Sequence, residues 1–249
     1  MIVSHSRKFI FVHCRKVAGS SMKVAIAPYL SGDDIVIGSL NEIIAAGGAP
    51  TQAMKKLLLR PQSRGVSIAA TMLGKTWPEA QNIALKMNFR RALGPDSPHP
   101  TALRAANFFG DAWHNYTKFC FVRNPWTRVV SDYYWHMRST GRDFSFEAYL
   151  EALSRGNSRI VHSDIVFNWD MMAVGGKVVV DHVGRFENID EDFKEITVKI
   201  GLPALALKTA EKAAKAKPDH AALYSAKCRK LVENLFAPEL EAFDYKWPF

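Results

Sequence analysis

The sequence has few cysteines and no long apolar run, and both absences limit what the chain can be. Its three cysteines, Cys14, Cys120 and Cys228, lie far apart. They offer neither a disulfide framework nor a paired-cysteine metal site, which favours a reducing compartment. No stretch reaches the roughly 18 uncharged apolar residues of a membrane span, and the first residues lack the apolar core and cleavage site of a signal peptide. We therefore expect a soluble, non-exported, cytoplasmic protein.

Acidic residues are outnumbered, and no block of like charges occurs. Lys and Arg total 33 against 24 Asp and Glu, a formal net charge of +9. This excess favours an anionic partner without choosing among nucleic acid, a phosphorylated cofactor, an acidic sugar and a membrane surface. The chain lacks aromatic–basic interleaving and a groove-reading helix. Nucleic acid is therefore not the expected partner, although a basic nucleic-acid-binding module remains an alternative.

Strand and helix signals alternate along the chain. Short apolar runs predict buried strands at 8–14, 117–122 and 177–183. Helices are predicted at about 20–30, 51–60, 78–93, 100–109, 125–138, 145–156, 189–200, 207–216 and 220–236. Strands separated by helices predict the α/β class, with a parallel sheet covered on both faces. No linker or repeat marks a boundary, so we expect one domain over residues 1–249.

The turn from the first strand into the first helix has the composition of a phosphate-binding loop. In FVHCRKVAGSSM, Lys16 supplies a mobile positive charge and Gly19 permits close approach of the backbone. Ser20 and Ser21 add hydroxyl groups where the amides of a helix start attract phosphate or sulfate oxygens. An ordinary strand-to-helix loop that contains a glycine explains the same residues.

A second junction, FVRNPWTRVVSDYYW, places an arginine at the end of a strand. Arg123 precedes a helix that opens with proline, and Ser131 follows about two turns into that helix. Such a pair can clamp a second phosphate group. Alternatively, Arg123 and Arg128 cover apolar surface or pair with nearby acids such as Asp132.

Together the two junctions resemble the sulfotransferases that use 3′-phosphoadenylyl sulfate (PAPS), in their carbohydrate-type, family 2 form. The first is similar to the 5′-phosphosulfate loop of that family. The second meets every fixed position of the family's 3′-phosphate segment, Arg-x-Pro-x-x-Arg-x-x-Ser-x-Tyr. GRFEN at 184–188 and FDY at 243–245 resemble further stretches of the same domain. The similarity is weak between about 32 and 97.

The resemblance implies a P-loop-like, three-layer α/β/α fold with a central parallel sheet and a sulfuryl transfer without a metal. The donor would be PAPS, the product adenosine 3′,5′-bisphosphate, and the acceptor a hydroxyl of a carbohydrate or small molecule. Basic residues between the two junctions hint at an anionic acceptor, although a solvated helix face explains them as well. The oligomeric state is left open.

The same resemblance implies a set of site residues. The donor-binding residues are Arg15, Lys16, Ala18, Gly19, Ser20, Ser21, Arg123 and Ser131. Lys16 would hold the leaving oxygen, while Arg15 stands where the family usually has proline and can help bind a dianionic group. His99 lies in a His-x-Thr-Ala stretch like the family's own and is the implied general base. An N-cap or surface histidine is the alternative for His99.

One further pattern suggests a different enzyme. AATMLGKT, from Ala69 to Thr76, satisfies a relaxed Walker A motif, with Lys75 as its lysine and Asp181 as a possible Walker B carboxylate. That reading would make the protein a P-loop ATP-dependent kinase or NTPase. The missing first glycine and the nearby Pro78 argue against it.

Overall fold

The computed structural model describes residues 1–156, 167–207 and 220–249. They belong to two compact units. The first is built from residues 1–122 and 166–208, and the second from residues 123–165 and 209–249. The single domain over 1–249 stays a prediction. The helix predicted at 207–216 lies outside the described residues apart from its first position.

The first unit contains a five-stranded sheet and a small hairpin. The strands are β1 (Ile2–Ser4), β2 (Phe9–Val12), β3 (Ile35–Val36), β4 (Thr117–Val122), β5 (Ala173–Val174), β6 (Lys177–Val178) and β7 (His182–Arg185). The large sheet has the order β3-β1-β2-β4-β7. β2, β4 and β7 are parallel neighbours, whereas β1 is antiparallel to both β2 and β3. The α/β class is confirmed, and the sheet is mixed rather than purely parallel.

The strand predicted at 177–183 is wrong in its bounds. Lys177–Val178 pairs with β5 in the hairpin, and the strand that joins the large sheet is His182–Arg185. The hairpin turn is Gly175–Gly176, whose φ values of 58° and 79° suit the left-handed positions of a two-residue turn. The two adjacent glycines predict a hairpin turn directly before residue 177, but the apolar residues that follow favoured one continuous strand.

Phenylalanines of β2 and β4 form the centre of the sheet. The rings of Phe11 and Phe119 stack with centroids 4.9 Å apart, and both side chains are fully buried. On β7, a Cβ atom at Gly184 would lie 2.4 Å from the ring of Phe121. Glycine at this position therefore lets the Phe121 ring pack against the neighbouring strand.

Most predicted helices are confirmed, with ends that differ by a few residues. The first unit has α1 (Gly19–Ile26), α2 (Leu40–Ala45), α3 (Gln52–Leu58), α4 (Pro61–Met72), α5 (Trp77–Leu93), α6 (Ala102–Phe109), α7 (Asp111–Asn115), α10 (Asn168–Met172) and α11 (Ile189–Lys199). The second has α8 (Pro125–Thr140), α9 (Phe146–Arg155) and α12 (Ala226–Ala242). Pro61 occupies the first turn of α4, where proline is well accommodated. No helix in the described ranges combines the length and apolar character needed to cross a bilayer.

The second unit packs α8, α9 and α12 around aromatic side chains. The rings of Tyr133 and Tyr149 lie 5.7 Å apart, and the hydroxyl of Tyr224 donates to the carbonyl of Trp126 at 2.6 Å. Tyr133 is buried, whereas Trp135 on the same helix is 38% exposed. Tyr133 therefore contributes to the packing of this unit.

Candidate functional site

The loop between β2 and α1 has strained backbone. Lys16 and Ala18 have φ values of 61° and 62°. In this left-handed region an L side chain costs about 1–2 kcal/mol. Val17, between them, is fully buried and anchors the loop in the core. Strain of this kind concentrates at ligand-binding segments, which makes the loop a candidate site.

The first turn of α1 offers amide groups to an anion. The N-cap residue Ala18 makes no side-chain capping bond, and the first turn contains no acidic residue. Ser21 is exposed, while the hydroxyl of Ser20 lies 2.9 Å from that of Ser39. Uncapped amides and the partial positive charge of the helix start favour a phosphate or sulfate group at this position.

Arg15 is held in place by neighbours distant in sequence. Its Nη1 donates to Oδ2 of Asp96 at 2.8 Å, and its side chain is 13% exposed. Its backbone N–H donates to Oδ1 of Asn168 at 2.8 Å, and Nδ2 of Asn168 donates back to the Arg15 carbonyl at 3.1 Å. Asp96 and Asn168 went unnoticed in the sequence because no local pattern links them to Arg15. The guanidinium would have to share or break its ion pair to bind a donor molecule.

His13 connects the loop to His99. A Cβ atom at Gly19 would lie 1.9 Å from the His13 ring, so glycine leaves the space that this ring fills. The His13 and His99 ring centroids are 4.4 Å apart. Nδ1 of His99 lies 2.6 Å from the backbone carbonyl oxygen of His13. The structure thus brings Gly19 and His99 into one packed cluster.

The hydrogen bond of His99 defines which nitrogen carries the proton. A carbonyl oxygen only accepts, so Nδ1 donates, and Nε2 of the neutral ring holds the lone pair. Burial, and then the positive charges of Arg15 and Lys23, hold the pKa of His99 well below its ordinary value. The ring is therefore neutral near pH 7. This is the form that a general base requires.

Two further buried groups shape the electrostatics of this cluster. His13 is buried, but its Nδ1 has no hydrogen-bond partner among the described residues. Burial, and then the charge of Lys23, lower the pKa of His13. Lys23 is itself fully buried, donates to the carbonyl of Ile37 at 2.8 Å, and has its pKa lowered by burial to about 8. The cluster therefore combines neutral imidazoles with nearby positive charge.

Arg123 and Ser131 belong to the second unit. Arg123 directly precedes the N-cap of α8, is partly buried, and donates from Nε to Oγ1 of Thr127 at 3.2 Å. Ser131 lies within α8 and is also partly buried. Both side chains therefore keep some accessible surface.

Arg128, the second arginine of the same segment, is structural. Its Nη2 donates to Oε1 of Glu239 at 2.6 Å, and the two side chains are 7% and 1% exposed. Its guanidinium also lies 4.7 Å from the ring centroid of Phe236. The partner of Arg128 is thus Glu239 on α12 rather than Asp132, whose carboxylate accepts from the Tyr149 hydroxyl.

The Walker-like pattern does not form a P-loop. Residues 69–72 end α4, Gly74 turns the chain with φ 83°, and Thr76 is the N-cap of α5. A P-loop follows a strand, whereas this segment joins two helices. Asp181 also has another role, because it accepts from the backbone N–H of Lys118 at 2.6 Å and pairs with its ammonium group at 3.0 Å. The kinase or NTPase interpretation of this segment is wrong.

All three cysteines are free and buried. Cys120 lies in β4, with its sulfur 3.7 Å from that of Met172. In the part of the chain that the structure describes, no group of three or more His, Cys, Asp or Glu side chains could hold a metal ion.

The start of α1 follows a parallel strand and can attract an anion, and the neutral ring of His99 lies in the same cluster. The chain belongs to the sulfotransferase family, whose family model matches residues 1–246. The resemblance drawn from the two junctions is thereby confirmed, and sulfuryl transfer is the general activity of this family. An uncharacterized protein of Archaeoglobus fulgidus is 34% identical over 91 residues, which cover 35% of this chain and 70% of that protein. No solved structure matches the chain.

Proposed function

We propose that this protein transfers a sulfuryl group from PAPS to a hydroxyl of a carbohydrate or small-molecule acceptor. A bond forms between the acceptor oxygen and sulfur while the bond from sulfur to the bridging phosphate oxygen breaks. The hydroxyl proton passes to a base, and adenosine 3′,5′-bisphosphate leaves. A P-loop-like, three-layer form of the α/β fold is part of the same proposal.

The observation that carries this proposal is the contact path from Gly19 through His13 to His99. The His13 ring fills the space beside Gly19, and the His13 carbonyl orients the His99 ring. One residue therefore positions both the anion-binding turn and the proposed base. Neutral His99, with its lone pair on Nε2, is suited to accept the hydroxyl proton of the acceptor.

We assign the 5′-phosphosulfate to the turn at the start of α1. The amides there, with Ala18, Gly19, Ser20 and Ser21, would bind its oxygens, and no acidic side chain in the first turn opposes this. Negative charge grows on the bridging oxygen as the bond to sulfur breaks. A lysine directed at that oxygen stabilises the transition state more than the ground state, and Lys16 has this role in the proposal.

We assign Arg15 mainly to positioning. Its guanidinium is paired with Asp96, and its backbone exchanges two hydrogen bonds with the Asn168 side chain. These contacts hold the start of the loop and place a positive charge near His99. Any contribution of Arg15 to donor binding would then be smaller than that of Lys16.

The 3′-phosphate is assigned to Arg123 and Ser131. Arg128 is buried in its ion pair with Glu239, which favours Arg123 as the phosphate-binding arginine of the segment. A guanidinium can bind two phosphate oxygens at once, and a serine hydroxyl can donate to a third. Because Lys16, Arg123 and the helix amides would neutralise the charge of the donor, we propose that the transfer uses no metal. The cytoplasm is the proposed location.

Ligand-dependent thermal stability tests this function. Adenosine 3′,5′-bisphosphate at about 100 times its Kd should stabilise the protein by roughly 2.7 kcal/mol and raise its Tm. ATP with Mg²⁺ should have a much smaller effect, and Lys75→Ala should change neither result.

Lys16→Ala should lower turnover by about 10²–10³-fold with a smaller loss of ground-state binding.

Arg15→Ala is the matched comparison for Lys16→Ala. It should lower Tm, because Asp96 loses its ion-pair partner, yet retain more activity than Lys16→Ala. Full activity in Lys16→Ala beside an inactive, folded Arg15→Ala would assign the catalytic charge to Arg15. A larger shift with ATP than with adenosine 3′,5′-bisphosphate would contradict the donor assignment itself.

A further inference from the structure

The segment from 43 to 78 has an unusual charge pattern. It contains five Lys and Arg residues and no Asp or Glu. It includes α3, α4 and the first residues of α5, in the part of the chain where the family resemblance is weakest. A one-sided charge of this kind favours an anionic ligand.

These helices surround an open cavity of about 600 Å³. It is lined by Pro50, Lys55, Leu58, Leu59, Arg64, Ser67, Ile68, Trp77 and Gln81. Its volume is typical of sites for small organic ligands, which usually occupy about 300–1,000 Å³. None of its lining residues belongs to the proposed sulfuryl-transfer site.

Apolar side chains at the cavity are exposed rather than packed. Leu59 is 69% exposed, Ile68 48% and Trp77 51%. All three line the same opening, so a ligand seated there would remove apolar surface of three side chains from water. The cavity therefore favours a ligand with an apolar body.

Two cations share this lining. Lys55 on α3 and Arg64 on α4 both border the cavity, and both side chains are exposed. No carboxylate occurs among the lining residues to neutralise them. An acidic group at the edge of the ligand would gain charge-assisted hydrogen bonds from one or both side chains.

We propose that this cavity binds an anionic amphiphile, a molecule with an apolar chain or ring and one carboxylate, sulfate or phosphate group. The apolar part lies against Leu59, Ile68 and Trp77, and the acid group faces Lys55 and Arg64. The inference does not depend on the proposed transferase activity. A concave volume with two cations in its lining favours a single bound molecule over a flat membrane surface, although Met72 and Leu73 at the end of α4 are 81% and 84% exposed.

Calorimetric titration of the whole protein with dodecanoate and with dodecanol, both as monomers, tests the proposal. Dodecanoate should bind the wild type, and dodecanol should bind more weakly. In Lys55→Gln/Arg64→Gln, dodecanoate affinity should fall about tenfold or more while dodecanol affinity changes little. Ile68→Asn should weaken both ligands, because it removes apolar contact from an exposed position that folding tolerates.

Lys56→Gln/Arg60→Gln is the matched control, since it removes the same charge from the same segment at positions outside the cavity lining. This control should bind dodecanoate like the wild type. Equal losses in the two double variants would overturn the site, as would failure of the wild type to bind monomeric dodecanoate. Binding only to phosphatidylglycerol vesicles would assign the surface to a membrane instead. Circular dichroism shows whether each variant is folded before its binding is compared.

Discussion

At the scale of single residues, His99 is the most informative side chain. Its Nδ1–H is bound to the His13 carbonyl, and burial is the main cause of its lowered pKa. As pH falls through that lowered pKa, Nε2 takes up a proton and can no longer act as a base. The acid limb of kcat/KM should therefore lie below about pH 6.5, the ordinary value for histidine.

His99→Ala should lower kcat by about 10²-fold or more, leave the Tm shift with adenosine 3′,5′-bisphosphate nearly unchanged, and remove this acid limb. Steady-state rates over a pH series in both proteins provide the measurement. If the acid limb of the wild type has its midpoint above the ordinary pKa of histidine, or if turnover is unchanged in the variant, His99 is not the general base.

At the scale of elements, the segment that leads into α8 contains two arginines with different proposed roles, since Arg123 is proposed to bind ligand and Arg128 is buried in an ion pair. Arg128→Ala removes the arginine that pairs with the buried carboxylate of Glu239 and should cost about 3–5 kcal/mol of unfolding free energy. Arg123 is partly exposed, so Arg123→Ala should unfold almost like the wild type. Arg123→Ala should instead lose affinity for adenosine 3′,5′-bisphosphate, while adenosine 5′-phosphate is affected little.

Urea unfolding and calorimetric titration of the two variants measure these effects. Arg128→Met/Glu239→Leu serves as a control, because replacing both members of a buried ion pair with apolar residues often restores stability. Equal loss of both nucleotides in Arg123→Ala would argue against its assignment to the 3′-phosphate.

At the scale of the whole molecule, His13 and His99 couple folding to pH. Burial lowers the pKa of His13 and His99 in the folded state, so below about pH 6.5 the unfolded chain binds protons that the folded chain does not. Their full stabilising effect is present above that pH. It decreases as pH falls toward the lowered pKa values.

Urea unfolding at about pH 7.5 and at about pH 5.5 should show a lower free energy of unfolding at the acid end, with a smaller difference in His99→Gln. Equal stability at the two pH values would show that the histidines titrate normally.

Carboxylates affect stability at lower pH than the histidines do. Burial favours a higher pKa for Asp34, but hydrogen bonds from Ser6 and other neighbours outweigh it and lower that pKa. The contribution of Asp34 to stability is therefore lost only below about pH 4.

The sequence by itself determined the elements whose signals are local. The run at 117–122 forms a strand with the predicted bounds, and Ser145 and Gly156 bound α9 as expected. These signals act over a few residues, through apolar runs, capping hydroxyls and glycine at helix ends. The two junction motifs are also local patterns, so the sequence was sufficient to identify them and the family that they resemble.

Tertiary structure alone decided the features that join distant positions. β1 and β3 have three and two residues, too few for a periodic pattern, and they form through pairing. The partners of Arg15 are 81 and 153 residues away, and that of Arg128 is 111 residues away. The protonated nitrogen of His99 depends on a carbonyl 86 residues away. Such contacts depend on which side chains come together on folding. A local sequence pattern carries no information about partners so far away along the chain.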